Sequence, residues 1–228
     1  MLSKLLALML MLLSLSQSAV DSYVNEMNLG GYLFLVNRTY SVSSDYEPAD
    51  LTVPRVKGGG ENTMLRWEAA QALEKMFQAA QEEKGYQLVA ISGYRSYGKQ
   101  FLIHQRKVQN VGKKAALRVS APAGCSEHQL GLAMDLGCKG SMGLTERFAK
   151  TPEGKWVSEN CHRFGFIIRY KAEWEEITGY AYEPWHIRYV GVEHATRIHQ
   201  LDIPFEYYIA QLRQAQYALV KEKYAGKE

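Results

Sequence analysis

The 228-residue chain has little cysteine, three residues, and little proline, six. It shows no internal repeat, no low-complexity segment and no periodic glycine. These shortages exclude a disulfide-scaffolded miniprotein and a collagen-like fibre, while 46% hydrophobic residues exclude a disordered tail. Charge of either sign is also scarce as a field: 27 Lys and Arg stand against 24 Asp and Glu, a formal +3. So mild a balance gives no case for nucleic acid as a partner.

What is present starts with an address. Lys4 is the only charge before Asp21, Leu5 to Leu15 is nearly unbroken Leu, Met and Ala, and Ser16-Gln17-Ser18 supplies small residues at signal-peptidase spacing. This pattern predicts a signal peptide over residues 1–18, cleavage after Ser18 or Ala19, and an exported, extracytoplasmic product in the wall, periplasm or medium. The rival is an uncleaved anchor, the one route by which a membrane would become a partner. Its apolar run falls short of the roughly 20 residues that span a bilayer. No cysteine lies near the cleavage point, so lipidation is not expected.

Residues 19–55 are polar and Tyr-rich, and Tyr46-Glu47-Pro48 reads as extended or turning chain, a lead-in draped over the domain. After Gly58-Gly59-Gly60 the spacing of Leu65, Ala69, Leu73, Met76, Phe77 and Ala80 predicts a helix over Thr63–Lys84, stopped by Gly85. Strands are expected at Tyr86–Ile91, Phe166–Tyr170 and Trp185–Val190. Further helices are expected from Ser96 or Lys99 to Gln109, at Ser158–Phe164, at Glu193–Gln200 and at Phe205–Lys223. The Gly-, Ser- and Ala-rich centre, Leu117–Gly137, reads as strands joined by tight turns. Helices and strands alternate without a βαβ rhythm, which predicts an α+β domain.

Two short constellations carry chemistry. Six His and five Asp would give about 0.13 His–Asp pairs at any one spacing by chance, yet His128 and Asp135 stand seven apart within Ser126-Glu127-His128-Gln129-Leu130-Gly131-Leu132-Ala133-Met134-Asp135. Glu183-Pro184-Trp185-His186 adds a second imidazole and a further carboxylate. Together they supply three ligands and a base, the set a catalytic zinc requires. Pro184 disfavours helix at Glu183, so a bend must bring that carboxylate round to the metal.

Ser92-Gly93-Tyr94-Arg95-Ser96, Ser126–Asp135 and Glu183–Gly191, in this order and with Gly165–Tyr170 and Thr178-Gly179-Tyr180 between the last two, resemble the signature blocks of the VanY-type D-alanyl-D-alanine carboxypeptidases. Related L,D-carboxypeptidases share these blocks. The resemblance implies one domain over 56–228 with an antiparallel sheet flanked by helices and the zinc site on the sheet, as in hedgehog/DD-peptidase folds. It implies one Zn2+ held by His128, Asp135 and His186, with Glu183 as general base. Arg95 would face the metal and bind the substrate's terminal carboxylate or the developing oxyanion, its planar fork suiting a carboxylate. Gln100 and Ser126 would complete the polar wall, and Trp185 would flank the substrate. The implied partner is a peptidoglycan stem peptide losing its C-terminal D-alanine. A non-catalytic zinc-containing wall-binding module and an endopeptidase on the same fold are the alternatives.

His104, His162, His194 and His199 read as structural or exposed. In an exported protein three cysteines suggest one disulfide and one spare thiol. Cys125–Cys138, which would clamp the segment bearing His128 and Asp135, and Cys138–Cys161 both fit the sequence. A structural zinc on Cys125, His128 and Cys138 is the rival, and it would leave Asp135, Glu183 and His186 without a role.

Overall fold

The computed structural model describes residues 30–224, with side chains to residue 218; the leader expected at 1–18 lies outside the described residues. The lead-in is less a drape than a part of the interior. Phe34 and Val36 enter the main apolar cluster, and Leu35 enters a second one. Strand β1 (Leu51–Thr52) pairs antiparallel with β2 (Leu65–Arg66).

That pairing corrects the start of the first helix. Leu65 is fully buried in the ladder opposite Thr52, and the Arg66 N–H donates to Gly131 O at 2.8 Å instead of to a helical carbonyl. Helix α1 therefore runs Trp67–Lys84, after a 3-10 turn at Glu61–Thr63. Its buried residues, Ala69, Ala70, Leu73, Met76 and Ala80, form one stripe at helical spacing. Full burial of Leu73 and Met76 contributes about 1.5–3 kcal/mol each. Gly85 ends the helix in the left-handed region at φ 70°, its N–H donating to Gln81 O and that of Tyr86 to Ala80 O.

Strand β3 (Leu88–Ser92) leads into α2 (Tyr97–Val111), which Ser96 caps by accepting from Lys99 N, and α3 (Lys113–Val119) follows. The centre of the chain departs from expectation. Instead of several strands it holds the end of α3, a loop, a 3-10 turn at Glu127–Leu130 and one strand, β4 (Ala133–Cys138). Next come α4 (Arg147–Lys150) and α5 (Pro152–Asn160), a start that Thr151 fixes by capping Gly154 N with Pro152 at the first helical position. A 3-10 turn at Cys161–Phe164 takes the rest of the helix expected there. Strand β5 (Phe166–Ile168), α6 (Glu175–Thr178), β6 (His186–Tyr189), α7 (Val192–Leu201) and α8 (Phe205–Tyr224) complete the order.

The main sheet runs β3-β4-β6-β5, every neighbour antiparallel, with helices around it: an α+β fold. Strand alternation decides which residues face the site. Met134, Leu136 and Cys138 of β4, Ile187 and Tyr189 of β6, and Phe166 and Ile168 of β5 all belong to the main apolar cluster. The alternate positions, Asp135, His186 and Arg188, therefore share the opposite face. The second cluster, including Ile167, Val190, Ile198 and Phe205, lies on that side too. Among the described residues no helix is long and apolar enough to cross a membrane.

Candidate metal centre and active site

Register brings the first two ligand candidates together, because Asp135 of β4 lies directly opposite His186 of β6 and next to Ser92 of β3. His128 arrives from the 3-10 turn, which closes at Gly131 in the left-handed region, φ 65°. A Cβ on Gly131 would lie 2.8 Å from Leu51 Cδ2 and 3.1 Å from Arg66 Cγ. The turn is tied on both sides: Gln129 Nε2 donates to Ser43 O and Tyr46 O of the lead-in, and Arg95 N–H donates to His128 O.

His128, Asp135 and His186 are all buried, and each offers a ligand atom within 4.8 Å of the others. His186 Nδ1 lies 3.0 Å from Asp135 Oδ1, and His128 Nε2 lies 3.4 Å from Asp135 Oδ2. His128 Nδ1 sits 2.7 Å from Gly93 O, a pure acceptor, so that nitrogen carries the proton and Nε2 keeps its lone pair. That Nε2 is buried without a hydrogen-bond partner. Two nitrogens and a carboxylate around an orphaned lone pair fit a zinc ion, whose catalytic sites use three protein ligands of these types.

Burial pushes His128 down to about 4, aided by the Arg95 charge. Burial acts the same way on His186, but hydrogen bonds to Asp135 and Glu127 overcome it and lift the ring to about 9. Burial alone would raise Asp135, yet the flanking imidazoles hold it well below the usual carboxylate range.

Glu183 reaches the cluster through a turn. His186 N–H donates to Glu183 O at 3.0 Å across a four-residue reversal with Pro184 second, the position where its fixed φ suits a turn. Glu183 N–H is held by Tyr170 O. The carboxylate then stands 4.0 Å from His186 Nδ1 with 16% of its side chain exposed, and burial pushes it up to about 7. Arg95 has its guanidinium 3.9 Å from Asp135 Oδ2, with Nε buried and unpartnered.

The remaining expectations fall further out. Gln100 is buried but its amide donates to Ala121 O at 2.6 Å. Ser126 is buried immediately before the turn, and Trp185 is half-buried against the main apolar cluster. The disulfide expectation is corrected: Cys125, Cys138 and Cys161 are all free. Cys138 Sγ instead meets Thr151 Oγ1 at 3.6 Å, Cys161 is sealed in the core, and His128 gathers with Asp135 and His186, not with thiols. Of the other histidines, His104 meets Ser120 O, His194 meets the Tyr208 hydroxyl, and His162 stacks on His199 with centroids 3.9 Å apart.

Sequence reasoning missed a buried charge cluster beside the ligands. Glu127, Arg169 and Arg188 have side chains with no exposure. Arg169 Nε and Arg188 Nη1 donate to Glu127 Oε1 at 2.8 and 2.9 Å, and Glu127 Oε2 lies 3.4 Å from His186 Nε2. Burial favours a neutral Glu127, but the two guanidinium charges outweigh it and keep the carboxyl ionised. A signal existed: each arginine interrupts an apolar strand, in Phe166-Ile167-Ile168-Arg169-Tyr170 and Ile187-Arg188-Tyr189-Val190.

Fold and site together define a hydrolase of the DD-peptidase fold with a metal-competent His–Asp–His cluster. Residues 62–192 match the family model of VanY, D-alanyl-D-alanine carboxypeptidase, and the chain belongs to that family. It is 43% identical over 199 residues to YodJ of Bacillus subtilis (strain 168), covering 85% of this chain and 72% of that protein. It is 34% identical over 192 residues to a D-alanyl-D-alanine carboxypeptidase of Enterococcus faecium, covering 81% of this chain and 59% of that one. The LdcB LD-carboxypeptidase structure superposes with a TM-score of 0.75 at 45% identity, covering 80% of this chain and 87% of that one. A variant of the vancomycin-resistance D,D-pentapeptidase VanY, solved with Zn(II), gives 0.67 at 34% identity, covering 78% and 98%.

Proposed function

We propose that this chain is an exported zinc-dependent carboxypeptidase that removes the C-terminal D-alanine from peptidoglycan stem peptides. The observation that carries the reading is the convergence of His128 Nε2, Asp135 and His186 Nδ1, with Glu183 at its rim. These three side chains would hold Zn2+. Bound there, the ion supplies Lewis-acid polarisation of a carbonyl and a water acidified toward neutrality.

The chain's own groups supply the rest. Glu183, which burial lifts to about 7 in the metal-free site, would take a proton from the water as the water oxygen bonds to the peptide carbonyl carbon, and pass it to the departing amine as the C–N bond breaks, a role worth about 10²–10⁴ in rate. Arg95 offers an unpartnered Nε and a guanidinium beside Asp135, suited to hold the terminal carboxylate or the oxyanion. Gln100, Ser126 and Trp185 stand outside the ligand cluster as candidate walls of the substrate path. Export rests on the leader pattern of residues 1–18.

The test is mass spectrometry of muramyl pentapeptide and tetrapeptide incubated with the zinc-loaded protein, with and without chelator. Loss of one alanine from either, abolished by chelator and restored by zinc, is expected. Both peptides surviving intact beside zinc-loaded protein would overturn the reading, and the better substrate assigns D,D or L,D specificity.

A further inference from the structure

Resting on the metal-site reading above, we propose that Glu127 is the positioning residue that fixes His186 as a ligand, and that the C-terminal helix α8 holds Glu127 in that role through Glu206 and Arg169. His186 must present one nitrogen to the metal and protonate the other. Glu127 Oε2 lies 3.4 Å from Nε2 and Asp135 Oδ1 lies 3.0 Å from Nδ1, and ionised carboxylates can only accept, so the ring alone donates to both; a cation held between His186 and Asp135 would take the place of the Nδ1 proton, while Glu127 keeps the proton on Nε2. Gly93 O does the same for His128 from the opposite ring nitrogen. The two imidazoles thus offer different atoms, Nε2 and Nδ1, to one point.

Glu127 can do this only if it stays ionised and still in a fully buried place. Its Oε1 takes both arginines, which leaves Oε2 for His186. Arg169 is itself clamped: Nη1 and Nη2 donate to the two oxygens of Glu206 at 2.9 and 2.5 Å, a bidentate pair. Arg188 donates to the Tyr32 and Phe34 carbonyls of the lead-in. The fully buried Phe205 ring lies 5.5 Å from the Arg169 guanidinium and 5.3 Å from that of Arg188. The first two residues of α8, which lie beyond the family match at 62–192, therefore seat both cations. The contact path runs Glu206, Arg169, Glu127, His186. Of the four carboxylates in the cluster, Glu127 and Glu206 are matched by Arg169 and Arg188, while Asp135 lies near Arg95 and His186.

The experiment measures zinc affinity of the full chain by chelator competition, together with the visible spectrum of the Co2+-substituted protein and the melting temperature of the metal-free protein. Glu127→Gln should weaken zinc binding about 10- to 100-fold and alter the Co2+ spectrum. Glu206→Gln, which removes a carboxylate at the edge of the cluster, should remain folded and weaken zinc in the same direction to a smaller extent. Glu206→Asp should recover part of the loss. Folded variants with wild-type zinc affinity and Co2+ spectrum, whatever their melting temperature, would reduce the network to a structural one and overturn the proposal. A wild-type chain that takes up neither metal would instead overturn the metal reading beneath it.

Discussion

Asp135 and His186, fifty-one residues apart in sequence, are direct register partners across β4 and β6, with Oδ1 and Nδ1 3.0 Å apart. Backbone pairing thus sets their approach before any ion arrives. The loss of zinc should cost stability and leave the strands paired. Zinc at one hundred times its dissociation constant should stabilise the protein by about 2.7 kcal/mol over the chelated form, read as a rise in melting temperature. Asp135→Asn should abolish that zinc-dependent rise; an undiminished rise would mean that the ion binds elsewhere.

Glu183 touches the cluster from its rim at 4.0 Å from His186 Nδ1, whereas the three ligand candidates are buried in its centre. Glu183→Gln should therefore separate binding from turnover. We expect kcat to fall by about 10²–10⁴, while zinc content by metal analysis stays at one per chain. Loss of zinc along with activity would make Glu183 a ligand and remove it as the base.

The ligand spacing was legible because strands and tight turns keep chemistry local: His128 and Asp135 lie seven residues apart, and Gly131 between them marks the turn. Helix α1 and strands β5 and β6 were legible from apolar spacing, to within a few residues at their ends. The amino-terminal boundary of α1 was not, because Leu65 and Arg66 pair with Leu51 and Thr52, a contact no local pattern announces. The path of Glu183 was hidden for the same reason, since a turn's existence follows from Pro184 but its direction does not. Buried Glu127, Arg169 and Arg188 ran against the rule that charges stay in water, and only their mutual pairing makes the exception tolerable.

Gly93 links the fold to the site at one atom. Its carbonyl takes the His128 Nδ1–H at 2.7 Å, and a Cβ there would stand 2.4 Å from Met64 O, a backbone atom that cannot swing aside. Gly93→Ala should force the two segments apart, lowering stability by about 1–3 kcal/mol as an overpacked site does, and should weaken zinc binding too. Urea denaturation and chelator competition measure the two effects. A variant destabilised in urea with unchanged zinc affinity would show that His128 does not depend on this carbonyl.

Cys161 separates the disulfide reading from the free-thiol arrangement and also sets a pH dependence. Thiol titration under denaturant without reductant should find three thiols per chain, as all three cysteines are free. Burial pushes the Cys161 thiol up to about 12 from its ordinary 9.0, so the folded state keeps a proton that the unfolded state releases earlier. Its contribution to stability is therefore complete below about pH 9 and is lost progressively as pH rises toward 12. Tyr32, Tyr94 and Tyr180, each pushed up by burial to about 12 from 10.0, act in the same direction one unit later. Urea midpoints should accordingly fall between pH 9 and pH 10, with a shallower fall in Cys161→Ala than in the parent. Identical slopes would show that this thiol titrates in the folded protein as it does in the unfolded chain, and that its seal within the core is open to water.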